Sequence, residues 1–297
     1  MESKPPAYDG GDEKQPPPPG SSDSKLDIAH TQSQPVTTAA TSFRTNFASV
    51  SLHMTDRIRF LGFSSADVTR IYEIIQGCWP KGIQVRMFSS KPTPSTPSKP
   101  EIGMLSTREY GPSDEIRLRG NPWRPSAWFE DEKTAARRLV CGLLRGLYDM
   151  GWVLKSSVDV LKKEGNKGSA PLLPPPPRSN WLCISFNKSD LLQLIDAPEP
   201  LCQAMVNALG DKVQRTQFLE SSFEIKFHGY PWKASGTETV ETRLILLNVL
   251  DCLEQFGFTL YASINQDTNQ SEQKTEADTW FCQKQTNWAP GAPIYHG

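Results

Sequence analysis

Two stretches decide the fold: Glu115-Ile116-Arg117-Leu118-Arg119-Gly120-Asn121-Pro122-Trp123-Arg124-Pro125-Ser126 and Glu224-Ile225-Lys226-Phe227-His228-Gly229-Tyr230-Pro231-Trp232-Lys233-Ala234-Ser235. Without a gap, they share the Glu-Ile pair, the alternation of basic-type and apolar side chains, and a Gly-x-Pro-Trp element. An internal repeat of this kind is the signature of a duplicated architecture. The chain is therefore expected to contain two copies of one folding unit.

The match continues on both sides of these stretches. Arg137 and residues 151–159 align with Arg243 and residues 257–265, and residues 56–60 align with residues 190–194. Trp181-Leu182-Cys183 also resembles Trp280-Phe281-Cys282, which suggests equivalent closing strands. Each copy then reads as strand, helix, strand, helix and two further strands.

Apolar periodicity places the individual elements. Helices are predicted over 66–78, 131–148, 199–209 and 238–256, the first of them capped by Ser64 or Ser65. Strands are predicted over 56–63, 82–88, 115–119, 152–161, 180–187, 190–194, 214–228, 258–266 and 278–284. The fold class is α+β: a tandem duplication of a β-α-β-α-β-β unit, with antiparallel or mixed sheets carrying helices on one face.

These elements divide the chain into four parts. The first copy spans 54–188, with flexible loops at 89–100 and 162–178, and the second copy spans 189–287. Residues 288–297 form a C-terminal tail. Residues 1–53 are rich in Pro, Ser, Thr and Gln and poor in large apolar side chains, so they are expected to be a disordered tail.

The N-terminal tail contains a recognisable short motif. Pro5-Pro6-Ala7-Tyr8 resembles the Pro-Pro-x-Tyr ligand of WW domains, in which polyproline II backbone and the tyrosine ring dock into an aromatic groove. Pro5, Pro6 and Tyr8 are therefore candidate contacts for a WW-domain protein, for instance a ubiquitin ligase. A Pro-rich segment also produces such a tetrapeptide by chance, and the sequence leaves both interpretations open.

A second candidate site lies on the polar sheet faces. Alternation along the repeated strands places Arg117, Arg119, Lys226 and His228 opposite the apolar positions. If the copies pair across a pseudo-two-fold axis, these side chains would line one groove for nucleic acid or another anionic ligand. The competing interpretation, which we favour, is that the faces are simply solvated and that the Gly-x-Pro-Trp elements are structural. Those elements comprise Gly120, Pro122, Trp123, Gly229, Pro231 and Trp232.

Composition and motifs narrow the functional classes. The net charge of −1 disfavours nucleic acid without excluding it. No catalytic or phosphate-binding motif is present, and the six cysteines lack the spacing of a metal site, so no catalytic residue, metal or cofactor is predicted. No apolar run is long enough to span a membrane, and no secretory signal is seen, which favours the cytoplasm, with the nucleus as an alternative.

The sequence thus predicts a non-catalytic intracellular scaffold or adaptor that recruits WW-domain proteins through Pro5, Pro6 and Tyr8. The alternative is a binder of nucleic acid or anionic ligands that uses the basic sheet faces. An enzyme has the least support, although side chains that converge only in three dimensions leave no trace in the sequence.

Overall fold

The computed structural model describes residues 46–84, 113–125, 130–159, 164–170, 176–220, 222–266 and 278–294. All of these described residues belong to one compact unit. The Pro5-Pro6-Ala7-Tyr8 motif, the predicted loop 89–100 and most of the predicted tail 1–53 lie outside the described residues.

The described residues contain four α-helices and eleven strands, divided between two copies. Copy 1 consists of β1 (Asn46–His53), β2 (Arg57–Leu61), α1 (Ser65–Cys78), β3 (Ser113–Arg117), α2 (Glu130–Asp149), β4 (Val153–Asp159) and β5 (Glu164–Ala170). Copy 2 consists of β6 (Ser179–Asn187), β7 (Leu191–Ile195), α3 (Glu199–Leu209), β8 (Val213–Leu219), β9 (Ser222–Phe227), α4 (Glu238–Gln255), β10 (Thr259–Ile264) and β11 (Thr279–Gln285).

Each copy forms its own antiparallel sheet. Sheet 1 has the strand order β3-β2-β1-β5-β4, and sheet 2 has the order β10-β11-β6-β7-β9-β8. In both sheets the last strand of the copy pairs with its first strand, β5 with β1 and β11 with β6. The predicted fold class, a tandem α+β duplication, is confirmed.

The structure corrects where the copies begin and end. Strand β1 lies inside the predicted tail 1–53, and β5 lies inside the predicted loop 162–178. Strand β6 opens copy 2 instead of closing copy 1. Trp181-Leu182-Cys183 and Trp280-Phe281-Cys282 are therefore not equivalent segments; they pair with each other as neighbouring strands, with Phe281 opposite Cys183.

Two local predictions are also revised. The single strand predicted over 214–228 is a hairpin of β8 and β9. In the predicted strand 82–88, Ile83 forms one bridge with Leu118, and residues from 85 onward lie outside the described residues. The predicted N-cap of α1 is confirmed at Ser64, whose hydroxyl accepts a hydrogen bond from the backbone N–H of Asp67 at 3.1 Å.

The two copies stack as alternating layers of sheet and helix. The inner face of sheet 1 packs against α1 and α2, and the same core includes Trp181, Cys183, Ile195 and Phe281 of sheet 2. The opposite face of sheet 2 forms a second core with α3 and α4. At the sheet edges, the backbone N–H of Leu154 in β4 donates to the Tyr261 hydroxyl in β10 at 2.8 Å. Helix α2 is consequently covered by sheet on both sides.

This layering differs from a pairing of the copies across a pseudo-two-fold axis, in which the two polar sheet faces would line one groove. The polar face of sheet 2 lies against α2 of copy 1, where Ser185, Asn187 and Gln193 are all buried. The corresponding face of sheet 1 is the outer surface of the molecule, with Phe47 64% exposed. The two faces are separated by a layer of helices, so they cannot form one continuous surface.

Candidate functional site

The two Gly-x-Pro-Trp turns are held by the same contacts in both copies. Each tryptophan is joined to the start of the second strand of its copy through its ring N–H and its backbone N–H. The ring bonds are Trp123 Nε1 to Arg57 O at 2.9 Å and Trp232 Nε1 to Leu191 O at 3.0 Å, and the backbone bonds are Trp123 N to Thr55 O at 3.1 Å and Trp232 N to Ser189 O at 3.0 Å. The repeated sequence therefore encodes a repeated tie between a turn and a strand.

The glycines of these turns are required by the backbone. Gly120 has φ +82° and Gly229 has φ +72°, values that an L side chain rarely adopts. Pro122 is buried and Pro231 is half-buried. Trp123 is almost wholly buried, at 1% exposed. The turn thus reverses the chain and places a side chain in the core, which is a structural role.

The four predicted ligand-face residues occupy two separate places. Arg117 Nε bonds Asp56 Oδ2 at 2.6 Å on sheet 1, and Lys226 Nζ bonds Asp190 Oδ2 at 2.7 Å on sheet 2. These ion pairs are the same pair in the two copies, so Arg117 and Lys226 already have an anionic partner within the chain.

The other two predicted residues, Arg119 and His228, are exposed. Their backbone N–H groups bond Gly82 O at 3.0 Å and Lys212 O at 2.9 Å respectively. The helical layer of α1 and α2 lies between sheet 1, which carries Arg117, and sheet 2, which carries Lys226. The structure does not bring the four side chains together.

A charged cluster occupies the outer face of sheet 1. Arg57 Nη1 and Arg59 Nε donate to the two oxygens of Glu115 at 2.5 and 2.6 Å. Burial by itself raises the pKa of Glu115, but the hydrogen bonds from Arg59 and Arg57 and their charges outweigh it, and the pKa lies below its usual value. Glu115 therefore remains ionised between two arginines.

A buried polar network joins the copies. Arg137 of α2 donates to Asn187 Oδ1 at 2.7 Å and to Gln193 Oε1 at 3.3 Å on sheet 2. The Gln193 amide N–H group donates in turn to Thr134 of α2 at 3.2 Å and to Ser222 of β9 at 3.0 Å. A network of this kind positions α2 on sheet 2, because each buried polar group requires its partner.

The cysteines are placed as packing residues. All six are free, and all but the half-buried Cys78 are buried. Burial raises the pKa of Cys202 and of Cys252 to about 11, and it raises the pKa of Cys183 and Cys282 as well. A thiol nucleophile needs a lowered pKa, and the pKa values of these four thiols are shifted in the opposite direction. Within the described segments, no His, Cys, Asp and Glu side chains cluster as a metal site would require.

One candidate binding site is a cleft of about 460 Å³ in copy 2. Its floor is the aromatic group Phe186, Trp232 and Trp280, in which the rings of Trp232 and Trp280 each lie 4.9 Å from that of Phe186. Arg243 of α4 and Asp278 add charged groups at the cleft. A mainly apolar cleft of this size with a few polar groups is typical of small-ligand sites.

Sequence reasoning missed this cleft because its residues come from four distant segments. The only available signal was that Trp232 and Arg243 belong to the repeated pattern. Between the copies lies a cavity of about 40 Å³, lined mainly by apolar side chains such as Leu143, Leu147 and Ile264.

The chain after β11 folds back onto copy 2. A β-carbon at Gly257, which follows α4, would lie 2.4 Å from the Trp288 ring, so the ring rests directly on this glycine. Lys284 Nζ lies 4.7 Å from the centre of the same ring. In the described part of the chain, no helix combines the length and apolar character needed to cross a lipid bilayer.

Comparison with protein families agrees with the duplication. One domain-family model matches the chain twice, over residues 46–170 and 180–283. The chain belongs to this family and carries two copies of its domain, with boundaries that coincide with β1 to β5 and β6 to β11. Neither the search of curated proteins nor that of solved structures gives a match.

Proposed function

We propose that the protein is a non-catalytic adaptor of the cytoplasm that recruits a WW-domain protein through Pro5, Pro6 and Tyr8. The observation that carries this proposal is the Pro-Pro-x-Tyr sequence itself. Two prolines preset the polyproline II conformation, and the tyrosine supplies the ring that a WW groove accepts. A ubiquitin ligase that contains WW domains is one class of partner that could bind this motif.

The position of the motif supports the proposal. Pro5-Pro6-Ala7-Tyr8 precedes the first strand, β1, which begins at Asn46, so the motif is separate in sequence from the elements of the two copies. The six free cysteines fit a reducing compartment, which supports a cytoplasmic location.

The test is a binding assay with an isolated WW domain and the full-length chain. Tyr8→Ala is expected to abolish binding, because the groove loses its main aromatic contact. Ala7→Ser is the matched control, since the third position of the motif is not read, and it should bind as the unaltered chain does. Equal binding by Tyr8→Ala would refute the proposal.

The second candidate function is anionic-ligand binding, moved from the sheet faces to the cleft of copy 2. The specific observation is the exposed Arg243 beside Trp232 and Trp280, a combination that can pair an anionic group with a stacked ring. On sheet 1 and sheet 2, by contrast, Arg117 and Lys226 are neutralised by Asp56 and Asp190.

Adenosine monophosphate, which has both a ring and an anionic group, is a suitable probe. Tryptophan fluorescence of the full chain should change on titration, and Arg243→Gln should weaken binding at least about tenfold. Arg119→Gln, which alters the sheet face, should leave binding unchanged. The opposite ranking of these two variants would return the ligand site to the sheet.

A further inference from the structure

The duplication leaves the molecule with two unlike end surfaces. One end is the outer face of sheet 1, and the other is the outer face of α4, because the layers run sheet 1, α1 and α2, sheet 2, α3 and α4. Each end surface has an equivalent inside the molecule. The outer face of sheet 1 corresponds to the polar face of sheet 2, and the outer face of α4 corresponds to the outer face of α2. These two internal surfaces pack against each other.

The end surfaces expose large apolar side chains. These side chains lie at positions equivalent to those that form the contact between α2 and sheet 2 inside the molecule. On α4, Val240, Leu244 and Leu247 are 56%, 55% and 59% exposed. By the alignment of Arg137 with Arg243, their equivalents on α2 are Thr134, Arg138 and Cys141. Each of these three lies at the contact with sheet 2: Thr134 bonds Gln193, Arg138 bonds Asp196, and Cys141 interacts with Cys183.

The same relation holds on sheet 1. Phe47 and Leu61 are 64% and 46% exposed. By the alignment of residues 56–60 with 190–194, they correspond to Trp181 and Ile195, which are 8% and 0% exposed and belong to the core shared with α2. The two end surfaces therefore expose apolar side chains at positions whose equivalents in the other copy are buried.

Side chains of opposite charge occupy one pair of matched positions on the two end surfaces. The outer face of sheet 1 carries Arg57, Arg59 and Arg117 against Glu115 and Asp56 near one edge, and the exposed Lys155 lies in β4 at the opposite edge. The exposed side of α4 continues from Leu247 into Asp251 and Glu254. The equivalents of Glu254 and Lys155 are Tyr148 and Tyr261, whose rings meet at 5.8 Å inside the molecule.

We propose that a second copy of this chain occupies these surfaces, with the outer face of sheet 1 of one molecule on α4 of the next. The contact repeats between molecules the packing that joins copy 1 to copy 2 within one molecule. Because the two surfaces are different, the association is head-to-tail and does not close at a dimer.

The test uses sedimentation of the full-length chain and two blocked variants. Leu247→Lys blocks the α4 surface, and Phe47→Lys blocks the sheet surface. The average mass of the unaltered chain should rise with concentration past that of a dimer between about 1 µM and 1 mM. Each blocked variant alone should remain monomeric. An equimolar mixture of the two should form a dimer that does not grow, because each supplies one working surface.

Three outcomes would overturn the proposal. The unaltered chain could remain monomeric throughout, as it would if its own residues 1–45 covered the sheet face. Phe47→Lys could still dimerise by itself, which indicates a symmetric contact through α4. The control Phe218→Lys, on the exposed strand β8, could also abolish association, which would indicate non-specific hydrophobic aggregation instead of the proposed contact. Leu244→Lys and Leu61→Lys provide second variants of each surface if either first variant has an altered urea midpoint.

Discussion

Helices α2 and α4 hold the same position in the two copies, yet their surroundings differ. Both bury an inner stripe against their own sheet, with Leu139 and Leu143 on α2 and Ile245 and Val249 on α4. The outer side of α2 is covered by sheet 2, whereas the outer side of α4 faces solvent. The position of a helix in its own copy thus determines which side chains it buries against its own sheet. Whether its outer side is buried depends on the presence of a neighbouring layer.

The matched arginines show this difference in single residues. Arg137 is 5% exposed and holds two buried amide groups of sheet 2, whereas the aligned Arg243 is exposed and borders an open cleft. Aligned residues in a duplicated protein therefore need not share a role, even where the helices and strands around them follow the same order in both copies.

The largest expected effect separates the two tryptophans of the repeated turns. Trp123→Ala should lower the free energy of unfolding by about 3–5 kcal/mol, because a fully buried indole is removed from the shared core. Trp232→Ala should cost at least about 1 kcal/mol less, since Trp232 is half-buried beside the cleft. Urea unfolding of both variants measures this difference, and equal losses would contradict the unequal burial.

The next effect compares the aligned arginines. Arg137→Ala should lower the free energy of unfolding by about 2–4 kcal/mol, because Asn187 and Gln193 lose a buried donor. Arg243→Ala should change it by no more than about 0.5 kcal/mol, as is usual for an exposed side chain. Thermal or urea unfolding of the dilute, monomeric chain distinguishes the two, and a large loss for Arg243→Ala would show that this side chain is covered within a single molecule.

A smaller effect compares the outer face of sheet 1 with the covered face of sheet 2. Where sheet 1 has Arg57 and Arg59 around Glu115, sheet 2 has Leu191 and Gln193. Glu115→Gln should cost about 1–2 kcal/mol at pH 7.

The pH dependence of that loss follows from the lowered pKa of Glu115. A lowered carboxyl pKa adds stability above the unfolded-state value of about 4.3, and this stability disappears as the pH falls through the lower, folded-state value. The difference between the unaltered chain and Glu115→Gln should therefore shrink as the pH falls below about 4. Unfolding midpoints measured from pH 7 to pH 3 test this, and a pH-independent difference would argue against the ion pairs.

The helices were predictable from sequence because their apolar periodicity is strong. The predicted span 199–209 matches α3 at both ends, and the other three helices differ from their predicted spans by no more than a residue at either end. Strand β5, Glu164–Ala170, was missed because it has no large apolar side chain to mark it. The hairpin of β8 and β9 was missed because β8 is mostly exposed and gives no alternation that separates it from β9.

The candidate site was harder to predict for a different reason. The Gly-x-Pro-Trp turns could be found because they repeat, and their glycines signal a special backbone conformation. Which side of each sheet is covered depends on the neighbouring layer, and no local pattern records it. Gln193 and Asn187, for example, are polar strand residues, yet they are 1% and 3% exposed beneath α2.

The central claim is that α2 of copy 1 packs directly on sheet 2 of copy 2. A double-mutant cycle between Arg137→Met and Asn187→Leu, measured by urea unfolding, tests it most directly, because the two side chains meet at 2.7 Å only if the copies stack in this way. A coupling energy of at least about 1 kcal/mol is predicted. Additive effects, within about 0.3–0.5 kcal/mol, would contradict the stacked arrangement.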